Sequence, residues 1–316
     1  MKISIVIISK NRKGKLYKCL EIIEQSSYKN FEIVVVHQIS NHDQNYKQKL
    51  LKNFHNIKYF EQKLSGKTKG LNLAIKHAKG DIIAFIDDDC IVDKDWLKSI
   101  NVFFKANSQA FGVFGRTFPH KNKQSKNLIC PATFDRSEPN TVSDRSVIHY
   151  WDLGQGNNMA FKREIFFINN KFKFKFKEWL GPGSIGLNGE DSDLIYRILK
   201  KGISLHFNPK MIVFHDRWLM NFQELINQTK YSVGLFSFYF YYLEDDSSIM
   251  LFFIKERIKQ RISSRQRQIF HNNFLNSWAL KQQLSIILEI IAMIRGLFIG
   301  RFFAFIDKLK NEYPEK

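Results

Sequence analysis

The chain has 316 residues, 44% of them hydrophobic and 30 of them Phe, which is enough for one large α/β domain with a helical appendage. A formal net charge of +19 and a pI near 9.7 require an anionic partner, whether phosphorylated substrate, acidic membrane surface or nucleic acid. Three cysteines, odd in number and without metal-ligand spacing, exclude a disulfide framework and fit a reducing compartment.

The apolar run Ile3–Ile8 is shorter than the core of a secretory leader and is followed by Lys10, Arg12 and Lys13, so it reads as a first strand and no leader is expected. The turn Ser9–Gly14 leads to a helix with Leu16, Cys19, Leu20 and Ile23 on one face, and Phe31–Val36 is a second fully buried strand, together a parallel unit. Ser40–Lys52 reads as helical, Ile57–Phe60 as a short strand, and Gly66–Ala78 as a glycine-opened helix. The strand after Gly80 runs through Ile82–Ile86 into Asp87, Asp88 and Asp89. Carboxylates there sit at the carboxyl end of a sheet, where open α/β folds bind ligands, and their mutual repulsion suits Mg2+ or Mn2+ completed by substrate phosphates. The competing reading is an acidic turn capping the helix that begins near Asp93–Trp96. Four parallel strands by residue 90 make a Rossmann-like, doubly wound half.

Phe111–Gly115 reads as a strand, and Pro119–Asn140, rich in Lys, Asn, Ser and Pro, as a mobile loop. Gly154–Phe161 is a strand whose two early glycines allow close approach to a ligand. Lys171–Lys177 alternates Lys and Phe, which puts the two on opposite faces of an amphipathic strand and argues against nucleic acid as a partner. A flexible glycine loop from Leu180 delivers Glu190 and Asp191 to the start of a helix bearing Leu194, Ile195, Ile198 and Leu199, where acids also serve as ordinary caps. Ile203–Asp216 reads as a strand pair ending in His215, a structural histidine or a second metal ligand. Beyond it the chain is helical: aromatic over Tyr231–Leu243, basic over Ile254–Gln268, and apolar over Leu284–Ile306, where Glu289, Arg295, Arg301 and nearby Asp307 argue against a bilayer span. Such helices fit contact with an anionic membrane surface, packing on the sheet or a dimer contact.

In order, Ser4–Arg12, Glu32–Val36, Gly70–Ala74, Gly80-Asp81 leading into Asp87–Asp89, Asn157–Phe161 with Lys162–Glu164, Gly189–Leu194 with Arg197, and His215 resemble the inverting glycosyltransferases of family 2, of bacterial non-processive type, across residues 1–235. The resemblance implies the GT-A fold, a Rossmann-like mixed sheet flanked by helices, over residues 1–216, with a nucleotide-sugar half to residue 95 and an acceptor half from 96. Residues 217–316 form a C-terminal helical extension. It implies a metal-dependent, inverting transfer of one sugar from a nucleotide-diphosphate sugar to a glycan or lipid-linked saccharide, in cell-surface polysaccharide synthesis. Asp89 and His215 would hold Mg2+ or Mn2+. Ser9, Asn11, Arg12, His37, Lys69, Asn72, Asp87 and Asp88 would bind the donor nucleotide, with Asp87 on the ribose. Asp191 would be the base, and Glu190 would help position acceptor and base. The expected location is the cytoplasm, peripheral on the inner face of the membrane; an oligomer is left open.

Two departures bear on specificity. His37-Gln38 stands where the family usually has an Asp for the nucleobase, and Gln228-Thr-Lys-Tyr231 lacks the Arg-Trp of the processive synthases. A sugar-phosphate nucleotidyltransferase would need a glycine-rich loop after the first strand, where Ser9–Gly14 has one glycine. A non-enzymatic protein binding membrane or nucleic acid through its charge is the remaining alternative.

Overall fold

The computed structural model describes residues 1–40, 42–63, 65–120, 128–144, 153–168, 171–269 and 275–312. In chain order the first elements are β1 (Ile3–Lys10), α1 (Lys13–Glu24), β2 (Phe31–Gln38), α2 (Gln44–Asn53), β3 (Ile57–Gln62), α3 (Lys67–His77), β4 (Ile82–Asp87), β5 (Cys90–Val92), α4 (Trp96–Ala106) and β6 (Gly112–Pro119). Then come β7 (Leu128–Ile129), β8 (Asn140–Val142), β9 (Met159–Lys162), a 3-10 turn (Arg163–Phe166), β10 (Phe167–Ile168), β11 (Lys171–Phe172), α5 (Glu190–Lys200), β12 (Leu205–His215) and β13 (Leu219–Met220). Three long helices follow: α6 (Asn221–Tyr241), α7 (Ser247–Ile269) and α8 (Leu275–Glu312).

The main sheet runs β3-β2-β1-β4-β9-β6-β12-β5, with β8 beside β12. β1 to β4 are parallel, as the buried, β-branched runs of β1, β2 and β4 favour, with the half-buried β3 at the sheet's edge. β9 is antiparallel to both β4 and β6, and β12 is parallel to β6. The carboxyl ends of β1, β2, β4 and β12 therefore share one edge of the sheet, although β12 comes more than a hundred residues after β4.

Side chains alternate across this sheet. Ile82, Ala84 and Ile86 face a core built with Ile5, Ile7, Ile33, Val35, Leu20 and Trp96. On the other face Phe85 meets Phe161, Phe166 and Phe176 edge-on, with centroids 5.9–6.2 Å apart, the arrangement aromatic quadrupoles favour.

The structure departs from the sequence reading in several elements. Gly154–Phe161 yields only the short antiparallel β9, because residues before Met159 turn rather than extend. Ile203–Asp216 is one long strand with a register shift between Phe207 and Ile212, where Pro209 has no N–H for the ladder. Within Lys171–Lys177 the alternation survives as burial, with Phe174 and Phe176 inside and Lys173 and Lys175 exposed, but ladder pairing ends at Phe172. Residues 121–127 of the expected mobile loop lie outside the described residues, and its remainder supplies β7, paired with β13, and the start of β8.

The chain divides into two compact units, residues 1–178 with 191–221, and residues 179–190 with 222–316. In the second unit α8 lies against α6 through Gly296 and Gly300; a Cβ on either would stand 2.5 Å from Phe236 Cβ or 2.4 Å from the Ser237 carbonyl. Arg257, read in sequence as part of a basic surface, is buried and donates to Ser232 Oγ at 2.7 Å, with Glu289 3.5 Å away. It is an internal anchor of the helices rather than a surface cation. The side chains of Arg261, Arg265 and Arg267 lie outside the described residues.

Candidate active site

The shared carboxyl edge gathers most of the residues singled out by sequence. Beyond β1, Asn11 takes the left-handed conformation (φ 52) that asparagine tolerates, and its N–H donates to the Gln38 carbonyl. The turn returns Arg12 over the end of β4. Its Nη1 donates to Asp89 Oδ2 at 2.6 Å, and its Nη2 stands 2.5 Å from Asp88 Oδ1. Ser9 Oγ donates to Asp88 Oδ2 at 2.6 Å, while Lys67 Nζ lies 2.9 Å from Asp87 Oδ1. Asp88 and Asp89 are buried, and Asp87 is partly exposed.

His215 arrives from β12. Its register opposite Cys90 of β5 brings Nε2 to 3.3 Å from Asp89 Oδ1, and its Nδ1 donates to the Pro131 carbonyl at 2.7 Å. Burial lowers the imidazole's proton affinity, but the hydrogen bonds and charges of Asp89, with Cys130 and Asp87, raise its pKa to about 10. Burial would likewise raise Asp89, yet His215, Arg12 and Lys15 hold that carboxyl well below the ordinary range. Asp88 goes the other way: burial outweighs the pull of Arg12 and Ser9 and, with repulsion from Asp89 and Asp87, lifts it to about 6.

Asp89, Cys90 and His215 present potential ligand atoms within 4.8 Å of one another. Burial holds the Cys90 thiol well above its usual pKa, so it stays protonated and is no ligand for a hard cation. Asp89 and His215 fit Mg2+ or Mn2+: one carboxylate, one imidazole oriented by its second nitrogen, and room in the coordination sphere for phosphate oxygens. A cation taking Nε2 displaces the imidazole's proton.

Asp191, in the first turn of α5, is half-buried, and its Oδ1 accepts from the Ser192 N–H at 2.8 Å. A Cβ on Gly156 would stand 2.8 Å from Asp191 Oδ2, so the glycine before β9 makes room for this carboxylate. Glu190 precedes it and is buried. Asp193 is not part of the same constellation: it is fully buried and takes Arg197 Nε at 2.8 Å and Nη2 at 2.5 Å.

The other expected donor-binding residues are engaged differently. His37, fully buried at the end of β2, shares a 2.8 Å hydrogen bond between Nδ1 and the Tyr59 hydroxyl, and its Nε2 has no partner among the described residues. Burial and the charge of Lys13 lower its pKa, keeping the ring neutral. Asn72 clamps a neighbouring segment: its Nδ2 donates to the Phe176 carbonyl at 2.9 Å and its Oδ1 accepts the Phe176 N–H at 2.9 Å. Lys69 lies beside Gly66 near Glu178, whereas Lys67, two residues earlier, reaches Asp87. Lys67, Gly156 and Pro131 were not assigned these roles by sequence, because each acts through a contact across the fold. The capping alternative would put the three acids at the start of α4, but α4 opens at Trp96 with Asp95 as its N-cap and no side-chain cap hydrogen bond, and Asp87–Asp89 stand at the sheet edge instead.

The family profile described as Glycosyl transferase family 2 matches residues 4–167, more than half of the chain. The chain belongs to glycosyltransferase family 2. An uncharacterized glycosyltransferase of Rickettsia conorii is 32% identical over 126 residues, 40% of this chain and 20% of its own length. Glycosyltransferase GlyA of Streptococcus pneumoniae is 30% identical over 103 residues, 31% of this chain and 14% of its own. The alignments thus span at most a fifth of these two relatives. Among solved structures, TarS 1–349 of S. aureus superposes with a TM-score of 0.56 at 15% identity, over 94% of this chain and 81% of that one. The mannosyltransferase PcManGT of Pyrobaculum calidifontis, solved with GDP-Man and Mn2+, gives 0.57 at 13% identity, over 100% and 88%. At such identities the likeness is one of fold, and that fold is GT-A. The family 2 match ends before α5 and β12, so Glu190, Asp191 and His215 lie beyond it.

Proposed function

We propose that this family 2 domain performs a metal-dependent, inverting transfer of a single sugar from a nucleotide-diphosphate sugar to a glycan or lipid-linked saccharide in cell-surface polysaccharide synthesis. The observation that carries the reading is the meeting of Asp87, Asp88, Asp89, Ser9, Arg12 and His215 at one sheet edge. Asp89 and His215 hold Mg2+ or Mn2+, which when bound supplies positive charge against the departing diphosphate. Ser9 and Arg12 fix the two buried acids, and Lys67 orients Asp87 toward the ribose. His37, neutral and buried with Nδ1 on the Tyr59 hydroxyl, braces the end of β2 on the nucleobase side of the donor site. Lys69, Asn11 and Asn72 line or brace the donor site. Asp191 takes the acceptor hydroxyl's proton as that oxygen attacks the anomeric carbon from the side opposite the leaving group, and Glu190 steadies the start of α5. The net charge and the helices after residue 221 favour an acceptor at the inner face of the cytoplasmic membrane, with the protein held there peripherally.

The test is a panel of nucleotide sugars titrated by calorimetry with and without MnCl2, followed by turnover on lipid-linked saccharides. One donor is expected to bind in a metal-dependent way, and Asp89→Ala to abolish that dependence. Asp191→Asn should retain donor binding while turnover falls by about 10²–10⁴. Full turnover by Asp191→Asn would remove it as the base, and donor binding indifferent to Mn2+ would remove the metal.

A further inference from the structure

Asp89 is claimed by two cations. The divalent ion of the proposed reaction needs it, and Arg12 already occupies its Oδ2 at 2.6 Å while reaching Asp88 at 2.5 Å. The acids are almost wholly enclosed and the guanidinium is 42% exposed, so Arg12 lies over them from the solvent side. The neighbouring acid is engaged as well, with Lys67 on Asp87, and the His215 imidazole stands on the second oxygen of Asp89. Arg12 and Lys67 thus set two fixed cations against the acid cluster, and both oppose the entry of a divalent ion.

We propose that Arg12 is the resident counter-ion of the Asp88–Asp89 pair, so that the free protein takes up a divalent cation weakly and the donor's diphosphate is what frees Asp89 for it. A guanidinium fork binds phosphate oxygens as readily as carboxylate, so an arriving diphosphate offers Arg12 a second anion. Repulsion between the guanidinium and a divalent ion a few ångströms away opposes metal binding until that exchange occurs. Donor and metal then strengthen each other's binding reciprocally. Arg12 acts here as a positioning residue whose effect is on the order of assembly. The inference rests on the metal-dependent reading above.

Free Mn2+ can be followed by electron paramagnetic resonance as MnCl2 is titrated into wild type, Arg12→Gln and Arg12→Lys, alone and with saturating UDP or GDP, after subtracting Mn2+ held by the nucleotide itself. Wild type should bind Mn2+ about tenfold or more tightly with whichever nucleotide it accepts than without. Arg12→Gln should bind Mn2+ alone about tenfold or more tightly than wild type, and Arg12→Lys, which keeps the charge, should stay near wild type. Equal Mn2+ affinity in wild type and Arg12→Gln would overturn the inference alone. Nucleotide binding with no Mn2+ uptake by any of the proteins would overturn the metal reading and this inference with it. Should Arg12→Gln fail to give a cooperative melt, wild type decides: Mn2+ bound equally well with and without nucleotide refutes the proposal.

Discussion

Asp191 and Asp193 stand two residues apart on α5, and their surroundings assign them opposite work. Asp193 is sealed in the fold and holds Arg197, whose Nη2 also donates to the Lys175 carbonyl at 2.9 Å. Asp193→Ala should therefore cost about 2 kcal/mol in urea unfolding, the loss expected for hydrogen bonds to a charged group. Asp191→Asn should leave the unfolding midpoint almost unmoved. Gly156→Ala is the sharper probe: the new methyl would stand 2.8 Å from Asp191 Oδ2, which can swing aside, and 3.2 Å from Asp191 Cβ, which must give by a fraction of an ångström, so the carboxylate is displaced at only a small cost in stability. Turnover should fall by about 10- to 100-fold with little change in melting temperature, since small misplacements of a reacting group are costly. Unimpaired turnover would mean that the close approach has no bearing on the chemistry. The glycines before β9 were legible as a point of close approach. That Gly156 faces an acid 35 residues later depends on tertiary contact and leaves no local mark.

At the other end of the sheet, Glu32 on β2 closes a polar clamp. Ser4 Oγ and the Lys79 N–H each donate to its Oε1 at 2.6 Å, and Lys2 and Lys58 stand 3.2 and 3.0 Å from its Oε2. Burial alone would raise the carboxyl, but these partners lower its pKa from 4.5 to about 2. A pKa depressed in the folded state contributes stability that is present above 4.5 and lost as pH falls from there through about 2. Glu32→Gln should accordingly be less stable than wild type at pH 7 by about 2 kcal/mol, and the gap should close across that acid window. A constant gap from pH 7 to pH 2.5 would show that the clamp works by shape rather than charge. The clamp ties β1, β2 and the entry to β4, the elements sequence defined best, because their uninterrupted β-branched runs allow little but buried parallel strands. The reading failed where pairing is non-local: β9 is too short for a periodic signal, and β12 continues through a proline that sequence alone treats as a break.

At the scale of the whole chain, the surplus of positive charge and the outer face of α8 point to one partner. Leu284, Ile287, Ile291, Ile294, Phe298, Phe302 and Phe305 recur every three or four residues and are all exposed, Phe298 by 72%. Leu251 and Phe252 of α7 are exposed too. A shallow groove of about 400 Å3, lined by Ile185, Ile291, Ile294, Arg295, Phe298 and Ile299, opens on the same helix. Exposed Lys308 and Lys310 accompany this face, whereas Glu289 is buried and Asp307 accepts the Tyr241 hydroxyl at 2.5 Å. Among the described residues no helix is long and apolar enough to cross a bilayer. On the peripheral reading proposed above, the apolar stripe of α8, with cations at its margin, is the face that would lie in an anionic lipid surface. The full chain should co-sediment with phosphatidylglycerol vesicles more strongly than with phosphatidylcholine vesicles, and added salt should weaken the difference. Phe298→Glu with Phe302→Glu should lower vesicle affinity by about tenfold or more while leaving donor binding intact. Unchanged sedimentation would refute the lipid reading of this face; if the same variant instead turned a dimer into a monomer in light scattering, the stripe would be a contact between two copies of the chain.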